Sequence, residues 1–164
     1  IIACQQALSQ HPKMNQICLN MNLMDAHKAV VGCAMYHDEK THVLNITKNN
    51  EHNEDEIKHI IKDAQSELSS TGHLKQNKDD KPAIIVSNIG NICGEFATPL
   101  IYPPATMMLA VGRMNIQFLP DADNKPQPHF CLPISFAFNH LMAQGAESAA
   151  FLGSIKDALI NMIE

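Results

Sequence analysis

Short apolar runs with little polar alternation recur along this chain, and they restrict the folds that it can adopt. The clearest run, VVGCAMY at 30–36, is followed by a polar turn at 37–40 and a second strand at 42–47. A run of strand length without alternation indicates a strand that is covered on both faces. We predict three further strands, at 83–86, 106–114 and 129–139.

Helical patterns lie between and beyond these runs. Asn53 followed by Glu56 has the spacing of a capping box, and an apolar stripe at helical spacing continues from it. The stripe consists of Ile57, Ile60, Ile61, Ala64 and Leu68. Residues 1–10 are predicted to end a helix that stops near Pro12, and 146–163 to form the last helix. Strands that alternate with helices in a mixed sheet place the chain in the α/β class, or α+β by a strict definition.

The remaining segments are predicted to connect these elements. Residues 13–28 are interpreted as turns plus a short strand, and 69–82 as a hydrophilic connector. The segment 120–128 carries three of the nine prolines and is interpreted as an exposed loop. His52 and His59 stand two helical turns apart, which is too far for a two-histidine metal pair, so both are interpreted as surface residues.

Composition narrows the functional classes. With 164 residues the chain is long enough for one domain with a substantial core. The net charge of −5 gives no electrostatic reason to expect nucleic acid or an acidic membrane as partner, and Arg113 is the only arginine. The sequence contains no apolar stretch of transmembrane length. Its five cysteines lack CxxC spacing, so we predict buried free thiols in a reducing compartment.

His140 is the residue that we single out for proton transfer. It follows the apolar strand FAFN and precedes a small-residue helix start at Gly145. A side chain at such a junction can face a cleft while the core holds its backbone. Histidine is the side chain whose unperturbed pKa suits proton transfer near neutrality. The alternative is a hydrogen-bonded structural histidine, which position by itself does not exclude.

Ser87 is the second candidate. It ends a predicted buried strand and precedes a turn, where a hydroxyl can donate to a developing oxyanion. The alternative is a serine that satisfies backbone groups in the turn, which is the commoner role. Neither residue lies in a G-x-S-x-G nucleophile elbow, which argues against a serine hydrolase. The chain contains no phosphate-binding loop, dinucleotide fingerprint or zinc-ligand cluster, and we predict no metal site.

Several segments carry a resemblance to a known family. The matching pieces are, in order, HPKMN at 11–15, the strands at 30–48, IIVSNIG at 84–90, GEFATP at 94–99, YPP at 102–104, LAVGR at 109–113 and LPIS at 132–135 leading through His140 to Gly145. They resemble the catalytic domain of the acyltransferase component of 2-oxo acid dehydrogenase complexes. That family has Ser-Asn-Leu-Gly, Thr-Pro, Asn-Pro-Pro and Gly-Val-Gly-Arg in the same order, then Leu-Pro-Leu-Ser and His-x-x-x-Asp-Gly.

The resemblance implies a chloramphenicol-acetyltransferase-like fold, a mixed sheet flanked by helices, that assembles as a homotrimer with active sites between subunits. His140 of one subunit would abstract the thiol proton of coenzyme A or dihydrolipoamide, and Ser87 of the neighbour would hydrogen-bond the tetrahedral oxyanion. Asn88, Gly90 and Thr98 would contribute to the coenzyme A site. A thiol that attacks a thioester needs a base and a neutral oxyanion donor, and it needs no metal.

The same resemblance implies the extent of the domain, its partners and its location in the cell. Residues 1–164 would form one catalytic domain that lacks the family's N-terminal arm, helix and first strand. The expected partners are a lipoyl domain, whose lipoyl group is the carried substrate, and the dehydrogenase components, around the homotrimer or a larger core assembly. The expected location is the bacterial cytoplasm or the mitochondrial matrix. Neither nucleic acid nor a membrane is expected as a partner.

The chain departs from the family pattern around the histidine. Gln144 stands where the family has Asp, or sometimes Asn, and this side chain fixes the active-site loop. Leu141 replaces the usual Arg after the histidine, and Asn139 replaces the usual Asp before it. Two hypotheses follow: an active acyltransferase with an altered supporting shell, or a scaffold subunit with little catalysis. An antibiotic O-acetyltransferase on the same fold is a weaker third alternative.

Overall fold

The computed structural model describes residues 1–49, 53–92 and 94–162. Within these ranges the helices are α1 (Ile2–Gln10), α2 (Glu54–Thr71) and α3 (Gly145–Asn161), with a short 3-10 turn at Pro12–Met14. The strands are β1 (Gln16–Leu19), β2 (Asn22–Asp25), β3 (Val30–His37), β4 (Lys40–Thr47), β5 (Ile84–Asn88), β6 (Met107–Val111), β7 (Asn115–Pro120), β8 (Pro126–Cys131) and β9 (Ile134–Phe138). The surface position predicted for His52 and the thiol of Cys93 lie outside the described residues.

One mixed sheet of five strands, in the order β4-β3-β5-β6-β9, organises the fold. The central strands β3, β5 and β6 are parallel, whereas β4 and β9 are antiparallel to their neighbours. A two-residue turn at Asp38 and Glu39, with φ of 46° and 59°, joins β3 to β4, as a tight hairpin requires. The predicted α/β class with a mixed sheet is confirmed. The hairpins β1–β2 and β7–β8 form separate two-stranded sheets.

Helices pack on one face of this sheet and form the core with it. Phe151 of α3 and Leu8 of α1 are fully buried against residues of β3, β5 and β6 such as Ile84. A second cluster lies under α2 and contains Met35, Leu44, Ile46, Ile57, Ala64 and Leu68. The apolar stripe predicted for α2 therefore does face the sheet. No helix of the described ranges combines the length and apolar character needed to cross a bilayer.

The ends of α2 follow its sequence. The Asn53 side chain accepts a hydrogen bond from the Glu56 N–H at 3.0 Å, and the Glu56 carboxylate accepts one from the Asn53 N–H at 2.9 Å. The predicted capping box is thus confirmed. The helix ends at Thr71, and the following Gly72 adopts the left-handed conformation with φ of 70° as its C-cap residue. It therefore continues three residues into the segment that was predicted to be a connector.

Asp80, in the part of the connector that follows α2, forms hydrogen bonds to β4 and to Lys28. Its carboxylate accepts hydrogen bonds from Lys28 Nζ at 2.8 Å and Thr47 Oγ1 at 3.1 Å, and Asn45 Nδ2 donates to its backbone oxygen at 2.8 Å. The hydrogen bond from Lys28 is the main cause that lowers the pKa of Asp80 below its usual value. The connector is therefore anchored although its sequence is hydrophilic.

The prediction of one long strand at 129–139 is wrong. The chain breaks at Leu132–Pro133, because a proline lacks the N–H that a continuing ladder needs. The part before the break, β8, pairs with β7, and the part after it, β9, pairs with β6. The loop predicted at 120–128 is correspondingly reduced to the turn 121–125 between β7 and β8. Pro120, Pro126 and Pro128 lie in the strands of this hairpin, where they are tolerated because a two-stranded sheet has free edges.

Two other boundaries are corrected. The strand predicted at 106–114 ends at Val111, where the chain leaves the central sheet to enter β7. The segment 13–28 contains the hairpin β1–β2 rather than one short strand. Asn20 and Met21, at its tip, both have positive φ, which a two-residue hairpin turn demands. Helix α3 begins at Gly145, one residue earlier than predicted.

Candidate active site

Ser87 lies near the carboxyl end of β5, on the face of the sheet that the helices leave open. Its neighbour Val86 packs against the helix-covered core, and successive side chains of a strand point to opposite faces. The register places Ser87 beside Ala110 of β6, which in turn lies beside Ser135 of β9. Ser87 is half-buried. The sheet therefore fixes its backbone and leaves the residue partly accessible.

A structured turn follows Ser87. The side-chain oxygen of Asn88 accepts a hydrogen bond from the Gly90 N–H at 3.0 Å, and the Ile89 N–H donates to the Val111 carbonyl at 2.9 Å. Asn88 and Thr98 are exposed, and Gly90 is half-buried. The residues that the resemblance assigns to coenzyme A thus occupy the loop that leaves β5 on the way to β6.

Glycines allow this loop to lie against the end of β6. A Cβ on Gly112 would overlap the backbone oxygen of Glu95, and a Cβ on Gly90 would come within 2.9 Å of the Gly112 oxygen. Arg113 also connects the loop to the end of β6 through two hydrogen bonds, one from its backbone and one from its side chain. Its N–H donates to the Gly94 oxygen at 2.9 Å, and its Nε donates to the Gly90 oxygen at 3.1 Å. The loop is therefore clamped to the chain segment that leaves β6.

His140 lies in the turn after β9 and is exposed. Its ring lies against Phe138 with a centroid separation of 4.5 Å and an interplanar angle of 51°. Asn139 organises the turn, because its side-chain oxygen accepts from the Leu141 N–H at 2.9 Å and its N–H donates to the Thr106 oxygen at 2.9 Å. Leu141, which follows the histidine, is 82% exposed.

Gln144 begins α3 as its N-cap residue. Its N–H donates to the Glu147 carboxylate at 3.1 Å, and its backbone oxygen accepts from the Ser148 N–H at 3.0 Å. Its side chain is exposed. Gln144 therefore contributes to the helix start through its backbone, and its amide group faces solvent at the end of the His140 turn.

One chain does not bring Ser87 and His140 together. Ser87 is level with Ser135 at one end of the sheet, whereas Phe138 is level with Met107 at the other end. Three residues of strand rise and two inter-strand spacings separate the Ser87 and Phe138 Cα atoms by about 14 Å. His140 continues beyond Phe138, away from Ser87. These two side chains can share a reacting group only if they come from different chains.

The cavities of the single chain agree with this separation. One of about 280 Å³ is lined by Ile85, Tyr102 and the cis-linked Pro103–Pro104. Another of about 360 Å³ lies beside Ala143 and the 3-10 turn. Neither Ser87 nor His140 lines either cavity. No group of three His, Cys, Asp or Glu side chains with metal-binding geometry occurs in the described parts of the chain.

The described cysteines are free thiols. Cys4 is buried, and Cys18, Cys33 and Cys131 are half-buried. Burial raises the pKa of Cys4 and of Cys33, so both stay protonated near neutral pH and are poor nucleophiles. Neither is a competitor for the catalytic role.

Sequence reasoning missed an exposed apolar surface, one face of the β7–β8 hairpin. Register pairs Ile116 with Phe130 and Phe118 with Pro128 on the same face. Phe130 is 78% and Phe118 69% exposed. The signal was present as alternation of apolar residues in both arms, but the prolines favoured the interpretation of a loop. We call these four residues the hairpin face.

A family model, described as 2-oxoacid dehydrogenases acyltransferase (catalytic domain), matches residues 1–164. Two relatives are dihydrolipoyllysine-residue acetyltransferase components of the pyruvate dehydrogenase complex. The Mycoplasma genitalium protein is 26% identical over 156 residues, which cover 95% of this chain and 38% of that protein. The Mycoplasma capricolum protein is 31% identical over 88 residues, covering 54% of this chain and 20% of that protein. The chain thus spans well under half the length of these relatives.

Solved structures share the fold. The cubic core of the pyruvate dehydrogenase multienzyme complex has a TM-score of 0.79 at 22% identity, covering 96% of this chain and 65% of that one. An Azotobacter vinelandii dihydrolipoamide acetyltransferase, solved to investigate a serine, a histidine and an asparagine in catalysis, has a TM-score of 0.81 at 21% identity, covering 98% and 66%. A chloramphenicol acetyltransferase has a TM-score of 0.54 at 10% identity, covering 94% and 73%. The predicted chloramphenicol-acetyltransferase-like fold is confirmed.

Proposed function

The chain belongs to the family of 2-oxoacid dehydrogenase acyltransferase catalytic domains, and from this membership we propose that it transfers an acyl group between dihydrolipoamide and coenzyme A within a 2-oxo acid dehydrogenase complex. Residues 1–164 act as its catalytic domain, in the bacterial cytoplasm or the mitochondrial matrix. The observation that carries the proposal is the placement of Ser87 and His140 at opposite ends of one sheet, each at a strand end.

The proposed mechanism uses one residue from each of two chains. The His140 imidazole takes the proton of the coenzyme A thiol, and the thiolate attacks the carbonyl carbon of the acyl-dihydrolipoamide thioester. Ser87 of the neighbouring chain donates a hydrogen bond to the oxygen that becomes negative. When the tetrahedral intermediate collapses, the carbon–sulfur bond to dihydrolipoamide breaks, and the imidazolium returns its proton to the departing sulfur.

The related Azotobacter enzyme supports these assignments. Its serine and histidine are separated by almost the same number of residues as Ser87 and His140, with a difference of one. Its histidine and asparagine are four residues apart, as are His140 and Gln144. The side chains investigated in that enzyme therefore correspond in type and spacing to the two candidates here, and to Gln144 in spacing.

The shared site requires an assembly, and we propose a homotrimer within a larger core. The hairpin face supports this proposal, since an apolar surface of this kind on a globular chain marks an interaction site. Leu141 adds a second exposed apolar side chain directly beside the candidate base. A second chain packed on these surfaces would bury them and exclude water from the reacting thioester. The cubic core formed by a protein of the same fold is consistent with such packing.

The acyltransfer assay tests the function directly. The intact protein should exchange an acyl group between coenzyme A and dihydrolipoamide, and His140→Ala should lower the turnover by 10²–10⁴-fold, the usual range for loss of a general base. Coenzyme A affinity should change much less. If the wild type and His140→Ala are equally slow while both assemble, the catalytic proposal fails.

The exposed Gln144 side chain and the Leu141 side chain favour a second candidate function, a scaffold subunit of such a complex. Gln144→Asp restores the carboxylate that the family resemblance leads us to expect at this position. On the enzyme hypothesis this variant should keep or raise the transfer rate. On the scaffold hypothesis neither Gln144→Asp nor His140→Ala changes the rate of acyl transfer from its background value. The protein would then assemble into a core without transferring acyl groups.

A further inference from the structure

Arg113 has chemistry that the proposed mechanism does not use. It is the only arginine of the chain, it is exposed, and no carboxylate lies within ion-pair distance of it among the described residues. A guanidinium without an acidic partner would ordinarily suggest a site for an anionic group. Its hydrogen bonds indicate a different role.

The Nε–H of the Arg113 guanidinium bonds to the backbone of the loop that follows Ser87. Arg113 Nε donates to the Gly90 oxygen at 3.1 Å. The Gly90 N–H is itself bound to the Asn88 side chain at 3.0 Å, so both polar groups of the Gly90 backbone are fixed. The Arg113 N–H reaches the Gly94 oxygen at 2.9 Å, and the Gly94 N–H donates to the Ile89 oxygen at 3.3 Å. The loop therefore contacts Arg113 at two points, and the bond from Nε to the Gly90 oxygen is the one that depends on the side chain.

We propose that Arg113 is a positioning residue, which holds the loop after Ser87 in register with the end of β6 through the hydrogen bond from Nε to the Gly90 oxygen. The proposal rests on the acyltransfer function for its kinetic consequence, because that loop carries Asn88 and Gly90. Its structural consequence can be measured whether or not the protein is active. The positive charge of Arg113 is secondary in this account.

Side-chain geometry separates the hydrogen bond from the charge. Glutamine has three carbons and then a nitrogen beyond Cα, so its Nε2 occupies the place of the arginine Nε and can donate to the same oxygen. Lysine keeps the positive charge but has a methylene at that place. Methionine provides neither a donor nor a charge. The set Arg113→Gln, Arg113→Lys and Arg113→Met therefore isolates the donor.

The first measurement is hydrogen exchange of the assembled protein, followed by mass spectrometry on peptides that cover Gly90 and Gly94. Arg113→Lys and Arg113→Met should exchange this loop about tenfold faster, as expected for loss of a hydrogen bond from a charged donor. Arg113→Gln should stay close to the wild type. Peptides from α2, which is remote from the loop along the sheet, provide the internal control. If Arg113→Gln and Arg113→Met exchange equally fast, or no variant differs from wild type, the positioning role is refuted.

The second measurement is transfer kinetics with the same variants. A positioning role predicts that Arg113→Gln retains more activity than Arg113→Lys, because the donor matters and the charge does not. A direct role in binding the coenzyme A phosphates predicts the reverse order, with a raised KM for coenzyme A in Arg113→Gln and a near-normal KM in Arg113→Lys. That reverse order would overturn the inference. If wild-type transfer is absent while exchange follows the predicted order, the acyltransfer proposal fails and the positioning role stands.

Discussion

Complementation between two inactive variants is the most demanding test of a site shared between chains. Ser87→Ala removes the oxyanion donor and should lower transfer about 10²–10³-fold, and His140→Ala removes the base and should lower it 10²–10⁴-fold. Each variant keeps the residue that the other lacks. In one chain these residues lie at opposite ends of the sheet, about 14 Å or more apart by strand geometry, so an intact pair can form only at an interface between the two variants.

The recovered activity follows from counting interfaces in a cyclic trimer. Each site takes His140 from one chain and Ser87 from the next. In a random equimolar mixture, half of the chains carry an intact histidine and half an intact serine, so about one quarter of the sites are complete. The mixture should therefore reach about 25% of wild-type transfer, at least roughly 25-fold above either variant.

The assay requires exchange of subunits, by co-refolding or co-expression, with native mass spectrometry to verify mixed trimers. A matched control mixes wild type with the double variant Ser87→Ala, His140→Ala. About one quarter of the sites should be intact if the site spans two chains, against about one half if each chain carries its own site. Verified mixed trimers with no recovery in the first mixture would refute the shared site, and recovery to one half in the control would contradict the strand placement.

Two further predictions concern packing and charge. Phe151→Ala removes a fully buried ring and should lower the free energy of unfolding by about 3–5 kcal/mol in urea titrations. Phe118→Ala, on the hairpin face, should leave the free energy of unfolding nearly unchanged but should weaken the trimer in sedimentation velocity. Equal effects of the two variants on the free energy of unfolding would contradict this prediction. Asp80→Asn should lower the urea midpoint at neutral pH, because the carboxyl pKa is depressed below its ordinary value of 3.8 in the folded state. The stabilisation by the ionised Asp80 carboxylate is fully present above pH 3.8 and is lost as the pH falls through the lower folded-state pKa. The urea midpoints of wild type and Asp80→Asn should therefore become equal at acidic pH. A difference between the midpoints that persists at acidic pH would exclude the charge of Asp80 as its cause.

The sequence predicted the elements whose signals are local. The capping box of Asn53 and Glu56 depends on two side chains three residues apart, and the structure reproduces it. The run at 30–36 identified β3 because its length and its lack of alternation are typical of a strand that is covered on both faces. Ser87 and His140 were selected for an equally local reason, their predicted place at strand ends, and their catalytic roles stay predictions.

Pairing between distant segments was not readable in the same way. The run from His129 to Asn139 looks continuous, yet β8 and β9 belong to different sheets because β7 competes for β8 as a partner. The preference of a strand for one neighbour over another depends on long-range packing, which a local pattern does not encode. The hairpin face was missed for a different reason, because its prolines oppose a strand by local preference and outweighed the alternation of apolar residues. The Arg113 contact was also invisible, because Gly90 and Arg113 are 23 residues apart.

The structure shows how the residues that depart from the family pattern hold the turn around His140. The turn that carries His140 is held by Asn139, which fixes Leu141 through its side chain and Thr106 through its backbone. The N–H and the backbone oxygen of Gln144 bond to Glu147 and Ser148, and its side chain stands in the capping-box position at the start of α3. The shape of the turn therefore does not require a carboxylate at position 144. Because the Gln144 side chain is exposed, a group of a neighbouring chain or of the substrate can reach it. We therefore expect the consequence of this departure in the activity of the assembled protein more than in the stability of the single chain.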